Sequence, residues 1–138
     1  MRIQIKRIYD STGDDDGLRV LVDRLWPRGV KKEEASVDVW AKELAPTTEL
    51  RQWFDHDASK FSEFRSRYLK ELDDKDDFAQ KLIEDANGRT LTLLFAARDR
   101  SCNHAVVLLD YLKGEIRADR RSHLTGTFYL QYFLDNPS

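Results

Sequence analysis

The chain of 138 residues has few of the residues that mark several protein classes: one cysteine, one methionine, three prolines and three histidines. A single cysteine excludes an internal disulfide and fits a reducing compartment. Scattered histidines with one cysteine give no zinc-ligand spacing. We therefore predict neither a bound metal nor a cofactor.

The sequence also lacks long apolar runs and a strong excess of one charge. No run approaches the roughly 20 apolar residues of a membrane span, and the N-terminal Met-Arg-Ile-Gln-Ile has no apolar centre like that of a signal peptide. We expect a cytoplasmic protein with no membrane partner. The net charge of −2 gives no global attraction for nucleic acid, although it leaves room for a local basic cluster.

Three apolar stretches predict β-strands, over Arg2–Tyr9, Leu18–Leu25 and Thr90–Ala97. The second alternates in character, and the third is nearly continuous, as in strands covered on both faces of a parallel sheet. The predicted fold is α/β: a single domain with a small, mainly parallel sheet covered by helices. We place this domain at residues 1–117 and a C-terminal extension at 118–138.

The helices are predicted from apolar spacing and capping residues. A short helix is expected around Val39, Trp40 and Leu44, and a second one after Thr47 or Thr48. Longer helices are expected over Lys60–Leu72, from Asp76 or Asp77 to Ala86 with Phe78 facing inward, and over Ala105–Lys113, with Asn103 as the N-cap and Gly114 as the stop. The turn with Asp14, Asp15 and Asp16 is expected to be a solvated loop, with a cation site as the alternative.

Unusual polar residues follow two of the predicted strands. We call the segment at the carboxyl end of each strand a strand exit. The first exit, at the end of the second predicted strand, carries Asp23, Arg24, Trp26 and Arg28, where Pro27 and Gly29 turn the chain. The second exit carries Arg98, Asp99, Arg100, Asn103 and His104. Ligands of open parallel sheets bind outside the carboxyl ends of the strands. We therefore look for the functional site where these two exits meet.

Arginine presents a planar fork that suits phosphate and carboxylate groups. We predict an anion-binding pocket lined by Arg24, Arg28 and Arg98, with Arg7 and Arg100 as further ligand-binding residues. Trp26 and Asn103 belong to the same predicted site. The alternative is structural: Asp23 would pair with Arg98, and Arg24 with Asp99.

The acid/base candidates are Asp23, Asp99 and His104. His104 at the start of a helix is disfavoured as a cation, so we expect a neutral imidazole. The competing interpretation is a histidine that caps or packs. Cys102 lacks the partner arginine of a phosphatase loop, because residue 108 is leucine, and is interpreted as an incidental thiol.

Several motifs resemble the family called domain of unknown function 488, the YeaO-like group. In chain order they are RIYD, LVDRLWPRG, a stretch with Trp40, Lys42 and Leu44, LRQWFDHD, FRSRYLKEL and TLLFAARDRSCNHAVVL. The likeness covers about Ile3 to Leu112. It implies a compact α/β domain of a bacterial or archaeal cytoplasm and supplies no established reaction.

The leading hypothesis is a small enzyme or binding domain for an anionic small molecule, phosphorylated or nucleotide-like. The second hypothesis is a module that binds or processes nucleic acid, which requires a continuous basic groove. The third is a non-catalytic subunit that forms a homodimer through its aromatic C-terminal segment, Phe128–Leu134.

Overall fold

The computed structural model describes the backbone of residues 1–124 and the side chains of residues 1–118. Its centre is one sheet whose neighbouring strands all run parallel, in the order β1-β4-β2-β3. The strands are β1 (Ile3–Arg7), β2 (Leu18–Leu21), β3 (Val39–Trp40) and β4 (Leu91–Phe95). The predicted α/β fold with a parallel sheet is confirmed, and its three predicted strands are present in shorter form.

In residues 1–124, five α-helices connect and follow these strands. They are α1 (Lys32–Ala35), α2 (Thr48–Phe54), α3 (Phe61–Leu72), α4 (Asp76–Ala86) and α5 (His104–Leu124). Thr47 is the N-cap of α2, since its hydroxyl accepts a hydrogen bond from Leu50 N at 3.2 Å. Asn103 caps α5 in the same way, accepting from Val106 N at 3.0 Å. Both predicted caps are confirmed.

Strand β4 lies between β1 and β2, and all five of its side chains are buried. Leu93 pairs with Ile5 on one side and Val20 on the other, and it points into the main core. Leu94 points to the opposite face, into a small cluster with Ile8 and Leu21. This two-sided burial explains why the sequence of β4 is apolar without alternation.

Aromatic residues of α2 and α3 form much of the main core. The rings of Phe54 and Phe64 stack with their centroids 4.3 Å apart. Tyr68 is fully buried, and its hydroxyl donates to Leu44 O at 2.5 Å. Burial raises the pKa of Tyr68 well above its ordinary value. The phenol therefore stays neutral and joins α3 to the chain before α2.

The other face of the sheet holds a buried polar cluster around Asp16. Its carboxylate accepts hydrogen bonds from Lys6 Nζ at 2.7 Å and from Arg19, whose side chain is also buried. Burial acts to raise the pKa of Asp16, but Lys6, the Gly13 amide and Arg19 outweigh it and hold that pKa below its ordinary value. Thr92 Oγ1 adds a bond to Asp16 O at 2.6 Å.

This cluster corrects the solvated-loop interpretation of the acidic turn at Asp16 alone, and it argues against the cation site. Asp16 is buried rather than solvated, whereas Asp14 and Asp15 are exposed. Within residues 1–118, no group of three His, Cys, Asp or Glu side chains is arranged to hold a metal ion. The ammonium and guanidinium groups of Lys6 and Arg19 occupy the oxygens that a cation would need.

The helix predicted around Val39 and Trp40 is wrong, because these residues form edge strand β3. Val39 pairs with Val20, and Ala41 N donates to Leu21 O at 2.8 Å. The inward face of α4 is also corrected. Phe78 is 45% exposed, and the buried stripe consists of Ala79, Leu82, Ile83 and Ala86.

Gly114 does not end the last helix. Helix α5 continues through it to Leu124, and the φ angle of Gly114 is not positive. The predicted domain boundary after residue 117 falls inside this helix and stays a prediction. The aromatic segment Phe128–Leu134 lies outside the described residues. No helix in the described part of the chain is long and apolar enough to cross a membrane.

Candidate functional site

A cavity of about 690 Å³ opens at the carboxyl ends of β2 and β4. Parallel pairing brings the two strand exits to this edge of the sheet. The first exit lines the cavity with Asp23, Arg24, Trp26 and Arg28, and the second lines it with Arg98, Asp99, Asn103 and His104. Two segments, whose lining residues Arg28 and Arg98 are 70 positions apart in the sequence, thus line one cavity.

The first exit is held by two tryptophans, its own Trp26 and Trp40 of β3. Trp26 Nε1 donates to Val30 O at 2.7 Å, which closes the turn through Gly29. The Trp26 ring meets Trp40 edge-on, with centroids 5.5 Å apart. Trp40 Nε1 in turn donates to Asp23 O at 2.7 Å. These contacts fix the backbone from which Asp23 and Trp26 project.

The second exit is ordered by hydrogen bonds within its own loop. Asp99 Oδ1 accepts from Ser101 N and Cys102 N, each at 2.9 Å. These two bonds hold the pKa of Asp99 below its ordinary value, and the bond from Cys102 N has the larger effect. Asn103 Nδ2 donates to Asp99 O at 2.8 Å. Asp99 and Asn103 thus shape the loop and the start of α5.

Asp23 connects both exits to the first turn of α5. Its Oδ2 accepts from Ala96 N at 3.1 Å, and its Oδ1 lies 2.8 Å from His104 Nε2. The ring N–H direction is not aligned with that oxygen, so neither buried atom makes a hydrogen bond of good geometry within the described residues. The pair is a carboxylate and an imidazole in close contact at the cavity wall.

Three of the five predicted arginines are engaged by the protein itself. Arg24 lines the cavity, but Nε and Nη2 donate to Pro46 O at 2.9 Å and Ala45 O at 3.2 Å. Arg7 donates in the same way to the carbonyls of Ala97 and Ala96. Arg100 pairs with Asp10 through two bonds of 2.9 Å. Neither Arg7 nor Arg100 lines the cavity.

Arg28 and Arg98 are exposed, and both line the cavity. In the part of the chain whose side chains are described, neither guanidinium has an ion pair or a hydrogen bond. The structural alternative for the site, Asp23 with Arg98 and Arg24 with Asp99, is not what the structure contains. At the rim, two guanidinium forks are therefore without a partner among the side chains of residues 1–118.

Sequence reasoning missed a third wall, which α2 and α3 supply. Arg51 and His56 line the cavity, as do the aromatic core residues Phe54 and Phe64. The motif LRQWFDHD contains three of these four residues, but it follows no strand. A search restricted to strand exits therefore could not find them.

The geometry defines a class of protein. It is an open parallel α/β domain with a pocket at the carboxyl edge of its sheet, where such folds bind small ligands. Apolar side chains form much of the wall, arginines stand at the rim, and an Asp–His pair lies to one side.

Comparison with known proteins gives the family. The model described as "Inactive DUF488-N3 subclade" matches residues 2–129, and the chain belongs to this family. It is 45% identical to the uncharacterized protein YeaO of Escherichia coli over 113 residues, which are 82% of this chain and 98% of YeaO. It is 41% identical to the uncharacterized protein Rv3073c of Mycobacterium tuberculosis over 114 residues, 82% of this chain and 95% of that protein. No solved structure matches.

Proposed function

We propose that this protein binds an anionic small molecule, phosphorylated or nucleotide-like, in the cavity at the ends of β2 and β4. The observation that carries the proposal is the pair of guanidinium groups of Arg28 and Arg98, which line one cavity and have no partner among the described side chains. Arginine forks bind phosphate and carboxylate through charge-assisted hydrogen bonds. The cavity volume of about 690 Å³ lies within the range of about 300–1,000 Å³ for small-ligand pockets.

Arg24 has a different role in this proposal. Its guanidinium is fixed by Ala45 O and Pro46 O, so it adds positive charge to the wall without reorganising. Arg28 and Arg98 supply the direct contacts to the anion. Trp26 and Asn103 shape the two sides of the cavity through their bonds to Val30 and Asp99.

The proposal is binding without turnover. The matching family is described as inactive, and the lowered pKa of Asp99 keeps that carboxyl ionised at neutral pH, unsuited to donate a proton. Asp23 and His104 form the acid/base pair that remains in contact. Release of inorganic phosphate from bound esters would assign chemistry to that pair, and its absence supports binding alone.

A thermal-shift screen of nucleotides and phosphorylated metabolites tests the proposal, and isothermal titration then measures the affinity of any hit. Arg98→Gln is expected to weaken binding about tenfold, because a hydrogen bond to a charged group contributes about 1.5–3 kcal/mol. Arg100→Gln is the matched control, since Arg100 follows Arg98 by two residues but is bound to Asp10 outside the cavity. Absence of any stabilising compound contradicts the proposal, as does equal binding by Arg98→Gln and wild type.

The same geometry argues against a nucleic-acid module. Such a module requires a basic groove that follows several phosphates. The free arginines at the strand exits instead converge on one cavity. Binding of that kind would also weaken steeply with salt, so titrations at two salt concentrations separate the two functions.

A further inference from the structure

The turn after α2 has an unusual backbone. Asp55 and His56 both have positive φ, 47° and 56°, and Asp57 N donates to Phe54 O at 2.9 Å. Two successive central residues with positive φ are characteristic of a type I′ turn, which favours Asn and Gly. Asp and His both tolerate this region better than most residues, but each carries a Cβ that glycine lacks. Relative to glycine, the backbone is therefore strained at Asp55 and at His56.

Of these two strained residues, His56 lines the cavity at the sheet edge. Arg51, which lies on α2 five residues before His56, lines it as well. Both side chains are exposed, and neither has a hydrogen bond or an ion pair among the described side chains. A strained conformation that persists at a pocket points to a functional position.

We propose that the end of α2 is a third contact wall of the anion site, where Arg51 and His56 bind the same anion as Arg28 and Arg98. This inference rests on the proposed function and extends it to a third segment of the chain. Three free guanidinium groups and an imidazole fit a phosphate ester with two negative charges better than a single carboxylate. The positive φ of His56 is the cost of presenting its ring to the cavity.

The proposal requires stability and affinity to change in opposite directions at one residue. His56→Gly removes the strain and the imidazole together. Its melting temperature is expected to rise by about 2–4 °C, while its affinity for inorganic phosphate falls about threefold to tenfold. A histidine that only packed against its neighbours would not give this combination.

Asp55→Gly is the matched control because it relaxes the adjacent position of the same turn and leaves both proposed contacts in place. It is expected to raise the melting temperature without loss of phosphate affinity. Arg51→Gln tests the second contact independently of the turn. It is expected to weaken phosphate binding about as much as His56→Gly, with an unchanged melting temperature.

The experiment is titration of the full chain with inorganic phosphate in a buffer free of other anions at constant ionic strength, alongside thermal melts. If wild type binds phosphate and Arg98→Gln weakens it, but His56→Gly and Arg51→Gln bind like wild type, the third wall is overturned and the proposed function stands. A lower melting temperature for His56→Gly overturns the strain argument. No saturable binding by wild type overturns both proposals.

Discussion

Asp23 Oδ1 lies 2.8 Å from His104 Nε2, so one carboxylate joins the end of β2 to the first residue of α5. The second oxygen of Asp23 accepts from Ala96 N, just after β4. Asp23 thereby holds the three segments that define one side of the cavity. It also places a negative charge in a pocket whose other charged residues are mostly arginines.

Asp23→Asn is expected to raise the affinity for inorganic phosphate about threefold or more. The amide keeps an oxygen that can accept from Ala96 N, while the charge that repels an anion is removed. Isothermal titration measures the effect. Asp15→Asn is the control, since Asp15 is exposed and precedes β2 at the opposite end of that strand. A fall in affinity would instead identify Asp23 as a direct ligand contact.

Asp16→Asn is expected to lower the free energy of unfolding by about 3 kcal/mol. The substitution leaves the buried guanidinium of Arg19 without its carboxylate, and breaking a buried pair costs about 3–5 kcal/mol. Urea denaturation measures it. Asp15→Asn, one residue earlier, should stay within about 0.5 kcal/mol of wild type. Equal midpoints for the two variants would show that the cluster contributes nothing.

This contribution of Asp16 should depend on pH. Its pKa is lower in the folded protein than in the unfolded chain, so the stabilisation is complete above the unfolded value of about 4. It is lost as the pH falls through the lower, folded pKa. The stability difference between wild type and Asp16→Asn is therefore larger at pH 7 than at pH 3. A difference that grows on acidification would contradict this assignment.

Arg100→Gln should return the pKa of Asp10 toward its ordinary value. The hydrogen bonds from Arg100 are the main reason that the pKa of Asp10 is about 2. Carboxyl chemical shifts followed by NMR during an acid titration give both values. Because the Arg100 side chain is 59% exposed, screening by solvent should keep the stability lost at neutral pH small. The stabilisation that the Arg100–Asp10 pair contributes disappears as the pH falls from about 4 towards 2. An unchanged Asp10 titration would exclude the pair in solution.

Gly114→Ala should stabilise the protein by about 1 kcal/mol, because alanine is the better helix former. Gly114 lies within α5 without positive φ. Apart from its chain neighbours and the backbone of its own helix, no atom of the described residues lies within 4 Å of an added Cβ. Gly88→Ala is the control: Gly88 has a φ of +81° after α4, so alanine is strained there. Thermal melts compare the two. Destabilisation by Gly114→Ala would indicate that the helix ends at this glycine.

The strands that locate the cavity could be predicted because each contains several successive or alternating apolar residues. A continuous apolar run predicts a central strand such as β4, and parallel pairing then brings its exit beside that of β2. Edge strand β3 could not be found this way. It has only Val39 and Trp40, and its pairing with β2 is a tertiary contact that local propensity does not encode.

Two helix predictions, the inward face of α4 and the end of α5, are wrong because tertiary packing outweighs a local sequence signal. Phe78 is the largest apolar side chain at the start of α4, yet Ala79 and Ile83 form the buried stripe with smaller side chains. At Gly114 the usual stop signal is present, but Ile116 beyond it packs against the core and the helix continues. Tertiary packing decides both cases.

The place of the cavity could be predicted from the sequence, but the partners of each arginine could not. Arg28 and Arg98 both line the cavity between the two strand exits, and their role as ligand-binding residues stays a prediction. Whether a guanidinium is free depends on carbonyls supplied by remote segments, such as those of Ala45 and Pro46 for Arg24. Nothing in the local sequence shows those partners.

An NMR titration of the arginine Nε–Hε resonances with inorganic phosphate shows directly whether the cavity at the ends of β2 and β4 binds an anion. Free and engaged arginines of this chain should respond differently. The predicted result is saturable shifts for Arg28 and Arg98, with little change for Arg100, which Asp10 already binds. Shifts that do not saturate, or that are equal at Arg98 and Arg100, would contradict an anion site at the ends of β2 and β4.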